Sequence, residues 1–259
     1  MADRFTPVSL FESLSQEFKG GTILESGLQE KQTGRFSFLA FEAFAGLELL
    51  NKALRQYVGE KEEFFDCDPV VQLRRLLHDL DCACPVELRE SITQSIGFMG
   101  YDAVRLFEEI PDRHARDKML PEMAFHFYKT MLTFDHQKKT ILVSCLVDVG
   151  DDPEQAYQEA QRKIAHLIKK ISSSLGHSMA TPAMSASRSS LCESDTSDAA
   201  FIKLVERAQE YIQKGDAFQI VLSRCFKKTY RAKPFDIYRA LRQVSPAPYM
   251  FYLPLKDRV

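Results

Sequence analysis

The pattern of apolar and polar residues near the end of the chain predicts two β-strands separated by a helix. Residues 216–226 set Phe218 and other apolar side chains against alternating neighbours, which is typical of a strand with one buried face. Residues 234–244 carry apolar side chains at helical spacing behind a proline that the first turn of a helix accepts. Ser-Pro-Ala-Pro at 245–248 cannot continue that helix, so the aromatic run at 249–253 begins a second strand.

The earlier part of the chain also mixes helical and strand patterns. Asp-Pro pairs at Asp68 and Asp152 each predict a helix start, because aspartate caps a helix and proline suits its first turn. A helix is also predicted at 7–18 and another from Asp198. The polar residues 135–139 separate two apolar runs, a pattern that predicts a hairpin. The strands expected from these patterns lie at 22–26, 34–40, 46–58, 123–134 and 140–147.

A serine-rich segment divides the chain. Serine makes up ten of the 26 residues from 172 to 197, and the segment has no Ile, Val, Phe or Tyr. Such a composition cannot bury enough apolar surface to order itself, so we expect a mobile connector. The predicted organisation is an amino-terminal domain at residues 1–150, a helix and linker at 151–198, and the start of a second domain at 199–259.

Composition and charge exclude several classes of protein. A formal net charge of -2 gives no basic field to attract nucleic acid. The six cysteines lack both metal-ligand spacing and the framework of a small secreted protein, which favours reduced thiols. The amino terminus has no apolar signal-peptide core, and no window approaches the roughly twenty apolar residues of a membrane span. We therefore expect a cytoplasmic protein that binds neither membranes nor nucleic acid.

Candidate chemistry is confined to two separated clusters. The histidines are scattered, and we identify no catalytic residue and no metal ligand in the sequence. The first cluster is Glu25 and Ser26, with Arg35 one strand later, and the second is the tripeptide Pro-Tyr-Met at 248–250. Spacing alone favours a simpler interpretation, in which the first cluster is a solvent-facing strand end and the second is a turn followed by core residues.

The sequence around this tripeptide resembles component I of anthranilate synthase. That family shows Asn-Pro-Ser-Pro-Tyr-Met-Phe-Tyr-Leu where this chain has Ser245 for the asparagine and Ala247 for the serine. Matching motifs extend along nearly all of the chain. The resemblance implies an α+β fold with mostly antiparallel sheets packed against helices. Because the family's catalytic motifs follow the position where this chain stops, we expect a truncated second domain whose strands lack later partners unless they dock on the first domain.

The resemblance also changes the interpretation of the two clusters. In the family, Leu-Leu-Glu-Ser and Pro-Tyr-Met motifs together form an allosteric site for L-tryptophan. A serine hydroxyl and backbone groups would bond the polar end of the ligand, an arginine its carboxylate, and methionine its indole. Ser245 exchanges an amide for a hydroxyl, so the affinity stays open. The tryptophan-binding residues implied are Glu25, Ser26, Arg35, Pro248, Tyr249 and Met250.

The activity implied by the resemblance is that of a lyase in tryptophan biosynthesis. Chorismate and ammonia give anthranilate and pyruvate, and a glutamine amidotransferase subunit, component II, supplies the ammonia. The family enzyme needs Mg²⁺, and we expect its ligands and the catalytic residues outside this chain, which alone would be inactive. Two alternatives stay open: aminodeoxychorismate synthase component I, and a non-catalytic tryptophan-binding module.

Overall fold

The computed structural model describes most of the chain as two compact units. Its described residues are 5–18, 20–27, 34–80, 82–89, 92, 95–111, 120–173 and 192–255. One unit comprises Met1–Met179 with Tyr238–Val259, and the other comprises Ala180–Ile237. Most of the predicted connector, residues 174–191, lies outside the described residues.

The larger unit contains an antiparallel sheet whose described strands number eight. One path runs β10-β1-β2-β3-β4, while β2 also pairs with one edge of β6, and β5 and β7 pair with the other edge. The strands expected at 22–26 and 34–40 and the hairpin at 123–147 are confirmed. Their bounds are β1 Thr22–Ser26, β2 Phe36–Leu50, β3 Ala53–Val58, β4 Lys61–Phe65, β5 Ser95–Met99, β6 Met123–Asp135, β7 Thr140–Cys145 and β10 Tyr249–Tyr252.

Alternation along β2 and β6 gives this sheet two different faces. Leu47, Leu49 and Phe127 belong to a buried apolar cluster that also contains Leu76 of α2 (Pro69–Asp79). Successive side chains of a strand point to opposite faces, so Glu48 and His126 lie on the other face. At this end of β2 one face therefore packs on α2, and the other presents polar groups, while Phe41 further along β2 is buried against α1.

The larger unit contains helices as well as the sheet, and α2 begins at its predicted cap. Asp68 accepts hydrogen bonds from the backbone N–H of Val70 and Val71, at 2.7 and 3.1 Å, which confirms the predicted start of α2. Phe11 of α1 (Pro7–Leu14) stacks on Phe41 of β2, with ring centroids 5.6 Å apart. The remaining α-helices are α3 Pro153–Ser173, α4 Asp198–Gln213 and α5 Pro234–Val244, and short 3-10 helices span Val86–Leu88 and Tyr101–Leu106.

The smaller unit contains a helix and one short strand pair. Helix α4 begins after Ser197, whose hydroxyl accepts a hydrogen bond from the N–H of Ala200, so serine caps this helix rather than the expected Asp198. Strand β8 (Glu193–Ser194) pairs with β9 (Phe226–Lys227).

The strand expected at 216–226 is wrong except for its last residue. Phe218 is fully exposed and Val221 is 81% exposed. The described part of this unit offers only a two-residue strand as a partner, and a strand without a neighbour has no ladder of hydrogen bonds to hold it.

The last predicted strand docks on the first part of the chain, the exception that the sequence left open. Strand β10 pairs along its whole length with β1, the strand that carries the first candidate cluster. In the described residues, no helix is long and apolar enough to cross a lipid bilayer.

Candidate functional site

The pairing of β1 with β10 brings the two candidate clusters together. The register sets Glu25 opposite Met250 and Ser26 opposite Tyr249. Just beyond the strand, the backbone N–H of Gly27 donates to the carbonyl oxygen of Pro248 at 2.9 Å. Two motifs that lie far apart in the sequence therefore become neighbours on one ladder.

Gly27 allows this close approach because it has no side chain. A Cβ atom at this position would lie 2.3 Å from the carbonyl oxygen of Ala247 and 2.7 Å from Cε of Met250. Both distances are shorter than any tolerable contact, and the first involves backbone that cannot rotate away. The turn before β10 can therefore close on β1 only with glycine at position 27.

Glu25 is a buried carboxylate that helix α5 neutralises. It is 6% exposed, and its Oε2 accepts a hydrogen bond from the hydroxyl of Tyr238 at 3.0 Å. Arg242 donates from Nη2 to Oε1 at 2.7 Å, and its Nε lies 2.6 Å from Oε2. Burial, together with the Glu25 carboxylate, raises the pKa of Tyr238, so the phenol stays protonated and donates. Glu25 therefore anchors α5 to β1.

Ser26 belongs to a short chain of hydrogen-bonded polar groups. Its Oγ donates to the carbonyl oxygen of Phe36 at 2.7 Å, and its backbone N–H donates to Oγ of Ser37 at 3.1 Å. The same Ser37 oxygen lies 2.8 Å from Nε2 of His136. Burial lowers the pKa of His136 against the opposing effects of Glu25 and Asp135, which favours a neutral imidazole at pH 7. The Ser26 hydroxyl keeps lone pairs that can accept a hydrogen bond from a ligand.

Arg35 serves a different contact from the one expected. Its Nη2 and Nε donate to Oδ2 of Asp135 at 2.9 and 3.2 Å, and its guanidinium lies 4.5 Å from the ring centroid of Phe36. Burial pushes the pKa of Asp135 upward, but hydrogen bonds from Arg35 and from the backbone of Lys138 and Gln137 hold it below its usual value. Arg35 thus forms an ion pair with the last residue of β6, at the end of the β2–β6 ladder.

These elements enclose a cavity of about 420 Å³. Of the six residues expected in the site, Glu25, Ser26 and Met250 line it, whereas Arg35, Pro248 and Tyr249 do not. Tyr249 is 65% exposed on the opposite side of β10, and Pro248 contributes only its carbonyl to the Gly27 contact. The cavity is completed by residues that the sequence did not single out: Thr6, Pro7, Gly27, His136, Arg242, Gln243 and Pro246.

Arg242 is the most informative of the residues that were missed. A guanidinium has five N–H donors, and only two of its nitrogen atoms face Glu25. Tyr238 and Arg242 are four residues apart on α5 and therefore share one helix face. That spacing is visible in the sequence, but nothing there shows that the face meets β1.

The described residues do not fit a magnesium ion. Within them, no group of three or more His, Cys, Asp or Glu side chains is placed to hold a metal. Glu25, the one carboxylate in the described lining of this cavity, is engaged by arginine and tyrosine, whereas Mg²⁺ needs several oxygen ligands in near-ideal octahedral geometry.

Comparisons with known proteins extend over almost all of the chain. Residues 28–259 match the family described as chorismate binding enzyme. Anthranilate synthase component 1 of Acetivibrio thermocellus is 30% identical, over 97% of this chain and 52% of that protein. The chloroplastic anthranilate synthase alpha subunit 1 of Oryza sativa subsp. indica is also 30% identical, over 97% of this chain and 44% of that protein.

A solved structure shows the same fold. Anthranilate synthase component I from Streptococcus pneumoniae TIGR4 superimposes with a TM-score of 0.63 at 24% identity, over 95% of this chain and 52% of that one. The chain spans about half the length of the relatives it matches. The resemblance and the α+β fold inferred from the sequence are confirmed, and the chain belongs to the chorismate-binding enzyme family.

Proposed function

We propose that this chain forms part of an anthranilate synthase component I and carries its feedback site for L-tryptophan. The observation that supports the site is the antiparallel pairing of β1 with β10, which joins Glu25, Ser26 and Met250 around one cavity. The relatives that bear the name anthranilate synthase support the enzyme class.

The cavity suits a free amino acid with a large apolar side chain. Its volume of about 420 Å³ lies within the range of small-molecule sites, about 300–1,000 Å³. The Ser26 hydroxyl and the remaining lone pairs of the Glu25 carboxylate can accept from an ammonium group. Arg242 can donate to the ligand carboxylate, a role first expected of Arg35. Met250 supplies an adaptable apolar wall for an indole, and Pro7 and Pro246 also line the cavity.

In this proposal the reaction converts chorismate and ammonia to anthranilate and pyruvate. A glutamine amidotransferase subunit, component II, supplies the ammonia, and the enzyme uses Mg²⁺. The described residues offer no site for the ion, so we assign no step to them. In this proposal their part in the reaction is regulatory, because a ligand between β1 and β10 would hold β10 on the sheet.

The proposal is tested on the complete product of the gene, purified with its amidotransferase partner. We expect anthranilate, detected by its fluorescence, to form from chorismate, glutamine and Mg²⁺, and L-tryptophan to inhibit its formation. Aminodeoxychorismate as the product would instead assign the protein to the aminodeoxychorismate synthases. Tryptophan binding without conversion of chorismate would identify a non-catalytic binding module.

A further inference from the structure

A second cavity lies on the sheet face opposite the α2 cluster, and Pro254 and Leu255 just after β10 are part of its lining. It has a volume of about 620 Å³ and is lined by Glu48 of β2, Arg55 and Tyr57 of β3, and His126 and Tyr128 of β6. Three neighbouring strands thus contribute side chains that alternate with the core residues of the opposite face. Neither the tryptophan site nor the proposed reaction uses these residues.

Gly46 makes the arrangement possible. It lies on β2 between Tyr57 of β3 and His126 of β6, its partners in the two ladders. A Cβ atom at position 46 would lie 2.5 Å from Cε1 of Tyr57 and 2.9 Å from Nδ1 of His126. Without that atom, the hydroxyl of Tyr57 reaches across β2 and lies 2.8 Å from Nδ1 of His126. The glycine therefore creates a cross-sheet hydrogen bond at the floor of the cavity.

The second ring nitrogen of His126 has no hydrogen-bond partner in the described part of the chain. His126 is only 9% exposed, and its Nε2 is a buried atom without a partner among the described residues. It lies 3.8 Å from Oε1 of Glu48, beyond hydrogen-bond reach, while Arg55 donates to the other oxygen of Glu48 at 2.6 Å. A buried polar atom left in this state costs free energy, so a donor group placed beside Nε2 and Oε1, within reach of both, would be stabilised by both.

The charges around the cavity select the kind of group. Glu48, Glu60 and Glu62 line it, against Arg55 as the one cationic side chain in the described lining. Arg55 bonds Glu48 and lies 3.5 Å from Glu62, so the lining carries an excess of negative charge. An anionic ligand would be repelled, and an ammonium group would be attracted.

We propose that this cavity binds a small organic amine whose ammonium group donates to both Oε1 of Glu48 and Nε2 of His126. Tyr57 and Tyr128 also line the cavity, where their rings can contact the apolar part of the ligand and attract its ammonium group by cation–π interaction. Burial lowers the pKa of His126, which keeps the imidazole neutral. The proposal requires the tautomer in which Nδ1–H donates to Tyr57, because only then can Nε2 accept. Burial also raises the pKa of Tyr128 to about 12, so this phenol stays protonated.

The test uses three probes that differ only in the polar group: benzylamine, benzyl alcohol and benzoate. Each is titrated into the isotopically labelled chain while the imidazole nitrogen resonances of His126 are followed by NMR. We expect benzylamine to shift the Nε2 resonance saturably, benzyl alcohol to bind about tenfold more weakly, and benzoate to leave it unchanged. Equal binding of benzoate or benzyl alcohol would overturn the proposal, as would the absence of any saturable shift with benzylamine.

Variants locate the binding site. His126→Phe should weaken benzylamine at least about tenfold, because a charge-assisted hydrogen bond is lost. Glu62→Gln at the rim should weaken it less, and Glu154→Gln on the exposed start of α3 should have no effect. A His126→Phe variant that binds benzylamine normally contradicts the assignment. If that variant does not fold, the Nε2 shift in the unaltered chain decides alone.

Discussion

The two cavities of the larger unit each contain a buried glutamate, but the two carboxylates are satisfied in different ways. Glu25 accepts from Tyr238 and Arg242, so helix α5 meets both of its oxygens. Glu48 has Arg55 on one oxygen, while its other oxygen and a buried histidine nitrogen lie 3.8 Å apart. The first carboxylate is used to fix an element of the fold. The second leaves two polar atoms side by side, and in our proposal both accept from the ammonium group of a ligand.

The two cavities should differ most in the stability that is lost when each carboxylate is removed. Glu25→Ala leaves the guanidinium of Arg242 half-buried without its partner, so we expect a loss of about 3 kcal/mol in the free energy of unfolding. Glu48→Ala should cost about half of that, because Arg55 keeps Glu62 at 3.5 Å. Urea unfolding followed by circular dichroism measures both losses.

The control for this prediction is the exposed pair in the smaller unit. Arg224 Nη1 lies 2.5 Å from Oδ1 of Asp198, whose side chain is 87% exposed. Asp198→Ala should change stability by less than about 1 kcal/mol. Equal losses from Glu25→Ala and Asp198→Ala would contradict the structural role given to Glu25.

Replacing the glycines that shape the two cavities should lower the free energy of unfolding by different amounts. Gly27→Ala forces a Cβ against a backbone carbonyl and should cost about 2 kcal/mol. At Gly46 the closest atoms belong to the rings of Tyr57 and His126, which can move, although the carbonyl of Phe125 also lies 2.9 Å away. Gly46→Ala should therefore cost about 1 kcal/mol.

The two substitutions should also differ in where they act. Gly46→Ala should shift the His126 resonances and leave tryptophan binding intact, whereas Gly27→Ala should do the reverse. The two variants are compared by urea unfolding and by NMR. A larger loss of stability at Gly46 would mean that the turn before β10 closes more loosely than its contacts indicate.

A change of pH should have a smaller effect on the free energy of unfolding. Burial lowers the pKa of both His126 and His136, with Glu48 opposing at the first and Glu25 and Asp135 at the second. The unfolded chain then binds these protons at higher pH than the folded chain. Stability should be complete above about pH 6.5 and fall on acidification, by at most about 1.4 kcal/mol per pH unit for each histidine.

Single substitutions distinguish the contributions that His126, His136 and Asp135 make to the pH dependence of stability. His126→Gln and His136→Gln should each remove part of the slope in urea unfolding measured between neutrality and about pH 5. The pKa of Asp135 is lowered, so its contribution is present above about pH 3.9 and is lost only below it. Stability that rises on acidification below about pH 6.5 would contradict the burial of these imidazoles.

The sequence predicted local elements well because their signals are local. Asp68 caps α2 through its own side chain, and β1 follows the apolar pattern of residues 22–26. Long-range pairing has no such signal. Residues 216–225 alternate like a strand and form none in the described structure, while β10 is a strand because β1 lies beside it. Alternation shows which side chains of a segment could be buried on one face of a sheet. Whether a neighbouring strand lies beside that segment depends on the tertiary fold.

The candidate site was predicted in part for the same reason. Glu25, Ser26 and Met250 were found through motifs that resemble a known family, and the structure places them around one cavity. Arg242 was missed because its importance depends on α5 facing β1. Arg35 was expected there, but Asp135, a hundred residues away in the sequence, engages it instead. The Glu48–His126 cavity had no sequence signal at all, since it needs three strands and a glycine in register.

The most direct test of the central claim compares neighbouring residues on β10 for their effect on tryptophan binding. The chain contains no tryptophan, so indole fluorescence from added L-tryptophan reports its own environment without background. Met250 lines the β1–β10 cavity, while Tyr249 lies on the opposite side of the strand. His126→Phe provides a further control, because it alters the other cavity only.

We expect L-tryptophan emission to shift to shorter wavelength and its anisotropy to rise saturably as the unaltered chain is added. Met250→Thr should weaken binding about tenfold through loss of apolar contact, while Tyr249→Thr and His126→Phe leave it within about twofold. An unaltered chain that gives no saturable change, or a Tyr249→Thr variant as impaired as Met250→Thr, would contradict the proposal that the cavity between β1 and β10 is the effector site.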